Sequence, residues 1–347
     1  MTDGPLTALL NALPLPTLAI DQGERIAAAN KAAQTILGQG IEGRHFITVL
    51  RQPAVAEAVE QSLKDDTSRV VPYLTGDGDT EVTYDVHVQR VVGRRLVMVS
   101  LQDVTQLTQA GQMRRDFVAN VSHELRTPLT SLMGFIETLK GPARDDVAAR
   151  DRFLGIMGSE AERMNRLVGD LLSLSRVESQ GRLRPTQRIN LAGVITTTMR
   201  NLSALADEAK VVLNLDLGTS PIHVLGDSDQ LQQVFTNLIE NAIKYGGKNG
   251  VVDIAAQIVD HDPALRAPAV RIVVADHGPG IDPQHLPRLT ERFYRADSHR
   301  SRALGGTGLG LAIVKHILNR HRGRLKVTSE LGNGAQFTVS IPLDLVG

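Results

Sequence analysis

The first third of the chain is patterned as short strands and helices. From Val82 to Val88 every second residue is apolar. Successive side chains of a strand point to opposite faces, so this period of two predicts a half-buried antiparallel strand. Gln22 and Gly23 separate two shorter runs as a hairpin turn would. The predicted elements of residues 1–104 are strands over 18–21, 25–28, 81–88 and 95–101 and a helix over 30–37.

The middle of the chain, residues 105–180, has the pattern of two long helices. Gly141 and Pro142 end the first helix, and the second ends near residue 180. In each helix apolar residues recur every three or four positions, which creates one apolar face. Two such helices cannot bury both faces alone, so a second copy is expected to complete a four-helix bundle in a homodimer. The two faces consist of Val118, Val121, Leu125, Leu132, Ile136 and Leu139, and of Phe153, Met157, Met164, Leu167, Leu171 and Leu174.

The last part of the chain, residues 181–347, mixes amphipathic helices with apolar strands, as expected of an α/β sandwich. The segment 180–185 has the composition of a linker. The predicted elements are helices over 229–244 and 308–319, a buried strand over 270–274, and a hairpin of 324–330 and 335–341 that turns at residues 332–334. The predicted fold class is therefore multidomain α+β, with domain boundaries near residues 104 and 180.

Composition narrows the possible functions. The chain has 347 residues, and its 38 Lys and Arg balance 38 Asp and Glu, which gives no general reason to expect a nucleic-acid partner. The absence of cysteine excludes disulfides, thiolate zinc sites and cysteine nucleophiles. The apolar stretch 8–20 is broken by Asn11, Pro14 and Pro16, and it falls short of the roughly 20 residues of a membrane-spanning helix. A cytoplasmic protein is expected, or a membrane-associated one if an N-terminal membrane region precedes this chain.

His123 lies on the polar side of the first long helix. A helix turns by about 100° per residue, which places His123 roughly 170° from the centre of the apolar stripe and toward solvent. Thr127, four residues later, shares its face. A neutral imidazole is a competent nucleophile near pH 7, and a carboxylate such as Glu124 could fix its tautomer. Without further context, a solvated histidine beside a surface charge would be the simpler interpretation.

The sequence around His123, FVANVSHELRTPLT over residues 117–130, closely resembles the H-box of HisKA-type histidine kinases. The resemblance implies that His123 attacks the γ-phosphate of ATP. It implies that Glu124 orients the ring and accepts the proton of its other nitrogen. It also implies that the phosphoryl group passes to an aspartate of a response regulator, and that Thr127 positions a water that dephosphorylates this regulator. Pro128, inside the helix, is expected to loosen it beside the reactive site.

A polar stripe on the predicted helix 229–244 suits a Mg²⁺-triphosphate. Asn237, Asn241 and Lys244 are spaced i, i+4, i+7, so two amides and an ammonium lie beside the apolar face. Amide oxygens can bind the metal and the ammonium can bind phosphate. A solvated stripe would have the same spacing. The segment resembles the N-box of the family, which implies that Asn241 is the Mg²⁺ ligand and that Lys244 and Tyr245 approach the nucleotide.

Asp276 directly follows the predicted buried strand, where a carboxylate can accept a hydrogen bond from an adenine amino group. Gly278 and Gly280 would let the backbone approach the base. This segment resembles the G1 box. Residues 291–295 resemble the F-box, which makes Arg295 a candidate γ-phosphate contact. The following residues 296–304, with Arg300 and Arg302, read as a mobile lid or as an ordinary solvated loop.

A glycine-rich segment opens the last predicted helix. Free backbone N–H groups at a helix start attract phosphate oxygens, although dinucleotide sites and P-loops use the same physics. No strand leads directly into this segment and no Gly-Lys-Ser/Thr follows, which argues against both alternatives. It resembles the G2 box. The resemblance makes nucleotide contacts of Gly306, Thr307, Gly308, Leu309 and Gly310.

The boxes occur together and in the family's order, which identifies the chain as similar to two-component sensor histidine kinases over about 240 residues. Residues 1–104 look like a PAS sensor domain, and the arrangement most resembles the phosphate-regulon sensor kinases. ATP and Mg²⁺ are the implied cofactors. Two alternatives stay open. Chaperone and mismatch-repair ATPases share the nucleotide boxes but lack the H-box, and the chain could act mainly as a phosphatase or a scaffold.

Overall fold

The computed structural model describes residues 5–77, 80–91, 93–179, 183–219, 221–247, 250–297 and 305–344. The chain divides into two compact units, Met1–Ala119 and Asn120–Gly347. Secondary structure changes character where the sequence predicts it, from a mixed region to two long helices and then to a second mixed region. The prediction of three domains with boundaries near 104 and 180 stays a prediction.

The first unit is built on a five-stranded antiparallel sheet with the strand order β2-β1-β5-β4-β3. All four predicted strands and the predicted helix are confirmed. Helix α2 begins where Asn30 caps it. The elements are α1 Pro5–Asn11, β1 Thr17–Asp21, β2 Ile26–Ala29, α2 Lys31–Leu37, α3 Pro53–Lys64, β3 Arg69–Asp77, β4 Thr80–Arg90 and β5 Leu96–Asp103.

The two faces of this sheet bury different clusters, because successive side chains alternate. Leu18 and Ile20 of β1 join the larger core, which includes residues of α2 and α3. Ala19, between them, packs on the opposite face with Leu10 of α1. The sheet is therefore covered by helices on both sides. The run Gly-Asp-Gly-Asp over residues 76–79 also predicts a turn. Residues 78 and 79 lie outside the described residues, and Asp77 of β3 stands opposite Thr80 of β4.

Asn30 connects three segments of the first unit from a fully buried position. Its Oδ1 accepts from the N–H groups of Thr17 at 3.0 Å and Ala33 at 2.9 Å. Its Nδ2 donates to the carbonyl oxygens of Leu10 at 3.1 Å and Leu15 at 2.8 Å. One side chain thus bonds four backbone groups, among them the N–H groups of the buried residues Thr17 and Ala33.

We expect Asn30→Ala to lower the free energy of unfolding of the first unit by at least about 2 kcal/mol, because buried donors and acceptors lose their partners. Asn11→Ala is the matched control, since Asn11 is exposed and accepts one backbone bond, from Lys31 at 3.0 Å. Urea unfolding checks both variants. Equal losses of stability would contradict the role of Asn30.

The predicted helical hairpin is confirmed as α4, Thr105–Lys140, and α5, Val147–Ser179. Helix α4 starts directly after β5 and ends before Gly141 and Pro142, as predicted. Pro128 is buried within it. The apolar faces are only partly covered within one chain: Val118 is 58% exposed and Ile136 41%.

Among the residues described, no helix is long and apolar enough to cross a membrane.

The rest of the second unit is an α/β sandwich. Its main sheet has the order β11-β12-β10-β9-β7, antiparallel except for the parallel pair β7–β9, and β6 pairs with β8 separately. Three helices pack together on this sheet. The elements are β6 Gln187–Asn190, α6 Leu191–Ala209, β7 Val212–Asp216, β8 His223–Gly226, α7 Ser228–Tyr245, β9 Val251–Asp262, β10 Ala267–Asp276, α8 Gly310–Arg320, β11 Arg324–Ser329 and β12 Ala335–Pro342.

The sequence pattern explains why α7 and β10 meet. The spacing of Leu231, Val234, Phe235, Leu238 and Ala242 predicts one apolar face for this helix, and α7 buries all five together with Ile239 and Ile243. Strand β10 buries every second residue, Val270, Ile272, Val274 and finally Asp276. Period two continues to the last residue, so the Asp276 carboxylate belongs to the buried row. The helical pattern and the strand pattern therefore bring the N-box helix over the strand that ends in Asp276.

His321, just after α8, is buried and satisfied as a neutral ring. Its Nδ1 lies 2.8 Å from the carbonyl oxygen of Ile317, and its Nε2 accepts from the N–H of Asp227 at 3.0 Å. A carbonyl oxygen can only accept, so the proton is on Nδ1. Burial lowers the pKa of His321 below its usual range, and the bond to Ile317 opposes this in part.

A histidine with a lowered pKa stabilises the fold above its ordinary pKa of about 6.5, and this contribution is lost as the pH falls through the lowered value. We therefore expect the wild type to lose more unfolding free energy between pH 7.5 and 5.5 than His321→Gln. The additional loss of unfolding free energy in the wild type is at most about 1.4 kcal/mol per pH unit. His261→Gln, at an exposed histidine, should keep the wild-type pH dependence. Urea titrations at both pH values test this. Equal losses of unfolding free energy in all three proteins would contradict it.

Candidate functional site

His123 and Thr127 lie together on the exposed side of α4, as predicted. The hydroxyl of Thr127 donates to the backbone carbonyl of His123 at 3.2 Å. This bond within one helical turn fixes the position of Thr127 and leaves the imidazole of His123 open to an incoming group. The helix therefore presents a potential nucleophile and a hydroxyl on one accessible face.

Glu124 contacts two arginines. Its Oε2 accepts from Nη2 of Arg163 at 3.0 Å and from Nη2 of Arg295 at 2.9 Å, and its Oε1 from Nη1 of Arg295 at 3.3 Å. The side chain of Arg295 is 6% exposed. Within the described part of the chain no hydrogen bond joins Glu124 to the ring of His123. Loss of Glu124 would therefore leave the shielded guanidinium of Arg295 without its carboxylate partner.

The N-box residues line one side of α7. Asn237 donates through Nδ2 to the carbonyl of Gly310 at 3.4 Å, which ties α7 to the first residue of α8. Lys244 Nζ lies 2.5 Å from Oε1 of Glu240, one turn earlier. Asn241 and Tyr245 are half-buried between these groups and the end of the helix. The polar stripe predicted from spacing is therefore present and faces the start of α8.

Asp276 lies at the end of β10, beneath the end of α7. Its Oδ1 accepts from the N–H of Gly278 at 2.9 Å, which folds the chain back after the strand. A Cβ on Gly278 would lie 2.7 Å from the carbonyl oxygen of Tyr245 and 3.0 Å from Oδ1 of Asp276. Only glycine fits there, so the backbone can follow the carboxylate closely. Gly280 has a φ of 74°, a conformation that also favours glycine.

The F-box and the G2 box are packed against each other. The N–H of Phe293 donates to the carbonyl of Gly308 at 2.8 Å, and Nη2 of Arg295 donates to the carbonyl of Thr307 at 3.0 Å. Leu309 is the N-cap of α8 and supplies no side-chain cap, so the first-turn N–H groups of this helix have no such acceptor. Positive partial charge therefore gathers where Gly306–Gly310 resemble the G2 box.

Asp170 on α5 bonds directly to the G2 box. Its Oδ2 accepts from the hydroxyl of Thr307 at 2.6 Å. Burial raises the pKa of the Asp170 carboxyl, and the Thr307 bond and the nearby Lys244 and Arg166 oppose this in part. Sequence reasoning missed both Asp170 and Arg163. Their partners lie more than 35 residues away along the chain. The contact of Arg163 with Glu124 depends on the register of α5 against α4, and that of Asp170 with Thr307 on the packing of the hairpin against the sandwich.

These groups fit a Mg²⁺-nucleotide. Amide oxygens, an ammonium, a guanidinium and the uncapped start of α8 converge, which matches the needs of a triphosphate. Nε of Arg295 is buried and has no hydrogen-bond partner among the described residues, so one donor of this guanidinium is unused. The described residues hold no cluster of three or more His, Cys, Asp or Glu. An ion held mainly by phosphates and one protein oxygen needs no such cluster. Arg300 and Arg302 lie outside the described residues.

Comparison with known proteins assigns this site to a family. Residues 113–180 match the His Kinase A (phospho-acceptor) domain, and residues 226–345 match the histidine kinase-, DNA gyrase B-, and HSP90-like ATPase family. The chain is 36% identical to the phosphate regulon sensor protein PhoR of Pseudomonas aeruginosa over 312 residues, which span 89% of this chain and 68% of PhoR. The chain belongs to the sensor histidine kinases. As a protein-histidine kinase it is most like the phosphate-regulon sensors, as the sequence predicts.

Other sensor kinases show the same relationship. The sensor-like histidine kinase SenX3 of Mycolicibacterium smegmatis is 36% identical over 249 residues, which cover 72% of this chain and 62% of SenX3. This histidine kinase thus spans about two thirds of the length of these curated relatives. The crystal structure of histidine kinase ThkA in complex with response regulator protein TrrA matches with a TM-score of 0.53 and 21% identity, covering 97% of this chain and 98% of ThkA. That similarity concerns the fold.

Proposed function

We propose that this chain phosphorylates itself on His123 with Mg²⁺-ATP and passes the phosphoryl group to an aspartate of a response regulator. The observation that carries the proposal is the meeting of Arg295, a predicted γ-phosphate contact, with Glu124, the residue next to His123. The two predicted halves of the reaction, acceptor and nucleotide site, are thus within reach of each other. The phospho-acceptor match over residues 113–180 favours this function over the ATPases that lack an H-box.

The proposed reaction forms a bond between a ring nitrogen of His123 and the γ-phosphorus and breaks the bond to ADP. The neutral imidazole supplies the electron pair, and its second nitrogen releases a proton to a carboxylate or to water. Arg295 and Lys244 would balance the charge of the transferring group. Glu124 must exchange its arginine partners before it can orient the His123 ring.

The nucleotide would lie between the end of β10 and the start of α8. Asp276 would accept from the adenine amino group, with Gly278 and Gly280 giving the backbone room to approach the base. Tyr245 would approach the nucleotide from the end of α7, and residues Gly306–Gly310 would receive phosphate oxygens. Asn241 would hold Mg²⁺, with Asn237 keeping α7 on α8, and the ion would shield phosphate charge.

The partner of the phosphorylated enzyme is proposed to be a response regulator receiver domain. The ThkA structure is of a complex with response regulator protein TrrA, which supports a partner of this kind for the present chain. Thr127 shares the exposed face of His123, so a regulator docked there could meet both groups. A water positioned by Thr127 would let the same face remove the phosphoryl group, giving phosphatase activity in addition.

The working form is proposed to be a homodimer. Leu129, Met133 and Ile136 of α4 and Leu172 of α5 are each more than 40% exposed in one chain. Apolar residues along two long helices are unfavourable in water, and a second hairpin would bury them in a four-helix bundle. We further propose that residues 1–104 are a PAS-like sensor domain, that residues 105–180 carry dimerisation and phosphotransfer, and that residues 181–347 bind ATP.

Incubation with γ-labelled ATP tests the central proposal. The wild type should acquire label that is lost in acid and stable in base, as expected of phosphohistidine, and chelation of Mg²⁺ should prevent it. His123→Gln should stay unlabelled. Transfer of the label to a receiver domain would test the second step separately, since the donor can be labelled first and freed of ATP.

A further inference from the structure

Two carboxylates of the helical hairpin bind groups that the proposed function assigns to phosphate. Asp170 of α5 accepts from the hydroxyl of Thr307 at 2.6 Å. Glu124 of α4 accepts two bonds from Arg295, at 2.9 and 3.3 Å. Thr307 belongs to the predicted G2 box and Arg295 to the predicted F-box. Both anions come from the hairpin, and both partners are in the nucleotide-binding sandwich.

The surroundings of Asp170 are those of the proposed phosphate site. Its electrostatic neighbours include Lys244 and Glu240 of the N-box helix and Arg166 of its own helix. The guanidinium of Arg166 lies against the G2 loop, since a Cβ on Gly305 would be 2.7 Å from its Nη2. Asp170 is thus near two groups that the proposed function assigns to the nucleotide, Lys244 and Thr307, at a desolvation cost that raises its pKa. The proposed phosphotransfer gives this half-buried carboxylate no role.

A carboxylate and a phosphate compete for the same partners. Both are anionic oxygen acceptors that bind hydroxyl and guanidinium donors at similar distances, and two anions at one donor group repel each other. We propose that Asp170 occupies part of the nucleotide's phosphate site in this conformation, so that docking of the hairpin and binding of Mg²⁺-ATP oppose each other. Asp170 is then a positioning residue, and the inference rests on the proposed nucleotide site.

The competition would link nucleotide binding to the freedom of the acid beside His123. Coupling between two binding events is reciprocal, so a nucleotide that displaces Asp170 from Thr307 weakens hairpin docking by the same factor. The Arg295–Glu124 contact belongs to the same docked surface and would open with it. Glu124 would then keep only Arg163 of its own hairpin as a partner. Nucleotide binding would thus remove one of the two arginine partners that Glu124 must exchange before it can orient the His123 ring.

Nucleotide affinity of the full chain gives the first test. We expect Asp170→Asn, which keeps the shape and removes the charge, to bind the Mg²⁺ complex of a non-hydrolysable ATP analogue about 5- to 10-fold more tightly than the wild type. Asp170→Ala should show the same direction. Asp151→Asn is the control, because Asp151 is an exposed carboxylate on the same helix. Calorimetric titration measures all four proteins. Unchanged affinity in both Asp170 variants overturns the inference.

A second measurement reports docking of the hairpin directly. It distinguishes a change in docking from a simple effect of the lost Asp170 charge on nucleotide affinity. Ser173 of α5 and Gln233 of α7 are in contact, with Oγ donating to Oε1 at 2.8 Å, and the chain has no cysteine. In a Ser173→Cys, Gln233→Cys protein, a short bifunctional thiol reagent therefore reports docking. We expect the analogue, or addition of Asp170→Asn, to slow cross-linking at least about 5-fold. Equal rates in all cases overturn the inference.

The two proposals fail differently. If the analogue binds neither the wild type nor Asp170→Asn, the proposed nucleotide site is wrong and the competition falls with it. If the analogue binds in a manner that Asn241→Ala abolishes, while Asp170→Asn changes neither affinity nor cross-linking, the nucleotide site stands and the competition alone is wrong.

Discussion

Asn241→Ala is expected to reduce labelling of the protein by γ-labelled ATP about a hundredfold or more. Asn241 is the amide proposed to hold Mg²⁺, and loss of a group that fixes transition-state charge typically costs about 10²–10³ in rate. The residue is half-buried on α7 and is not one of the buried apolar positions that hold the helix in the core. The fold should therefore survive the change, and the loss should appear in chemistry and nucleotide binding.

Gln232→Ala is the matched control for this variant. Gln232 lies on the same helix nine residues earlier, which is about 180° around the axis from Asn241. It should keep wild-type labelling. Thermal unfolding of both variants within a few degrees of the wild type would show that the helix is intact. Wild-type labelling by Asn241→Ala would remove this residue from the metal site.

Gly280→Ala is expected to abolish measurable nucleotide binding and to destabilise the second unit by about 3 kcal/mol or more. Gly280 has a φ of 74°, and an added Cβ would overlap the carbonyl oxygen of Glu330 and lie 3.1 Å from Cα of Leu331. These are backbone atoms of one segment, and they cannot make room unless that segment or the turn after Asp276 moves. Because this turn positions the proposed adenine contact, its displacement should lower the affinity for nucleotide.

Gly332→Ala isolates the steric part of this effect. Gly332 also has a positive φ, 84°, but nothing lies within 4 Å of an added Cβ. It should lose only about 1–2 kcal/mol from conformational strain and should retain nucleotide binding. Urea unfolding and calorimetric titration compare the two variants. Equal behaviour would mean that the Glu330 contact does not constrain the site.

The local patterns of the sequence predict most elements of the fold. Strand β4 and helix α7 each carry one clear period, and both are present as predicted. Strand β3 was missed because Pro72 and Gly76 interrupt it, which a sheet tolerates in a strand at its edge. Helix α3 was missed although Val55, Ala58, Val59 and Ser62 have helical spacing and Pro53 marks its first turn. That signal was available in the sequence.

The partners of the predicted site residues could not be read in the same way. His123 and Thr127 share a face because one helix determines their geometry, and the sequence predicts it. The partners of Glu124 are set by tertiary packing. Arg163, 39 positions away, is brought to it by the packing of α5 on α4, and Arg295, 171 positions away, by the packing of the hairpin against the sandwich. No local period encodes that packing. Asp170 was missed for the same reason, since its carboxylate is interpretable only beside Thr307.

The most direct measurement of the central proposal is the labelling of His123 itself. The full chain, His123→Gln and His87→Gln are incubated with γ-labelled ATP and Mg²⁺, with His87 as a histidine of the first unit that no proposed step uses. We expect acid-labile, base-stable label on the wild type and on His87→Gln, and none on His123→Gln when all three are folded. Equal label on His123→Gln and the wild type would contradict the assignment of His123 as the phosphoryl acceptor.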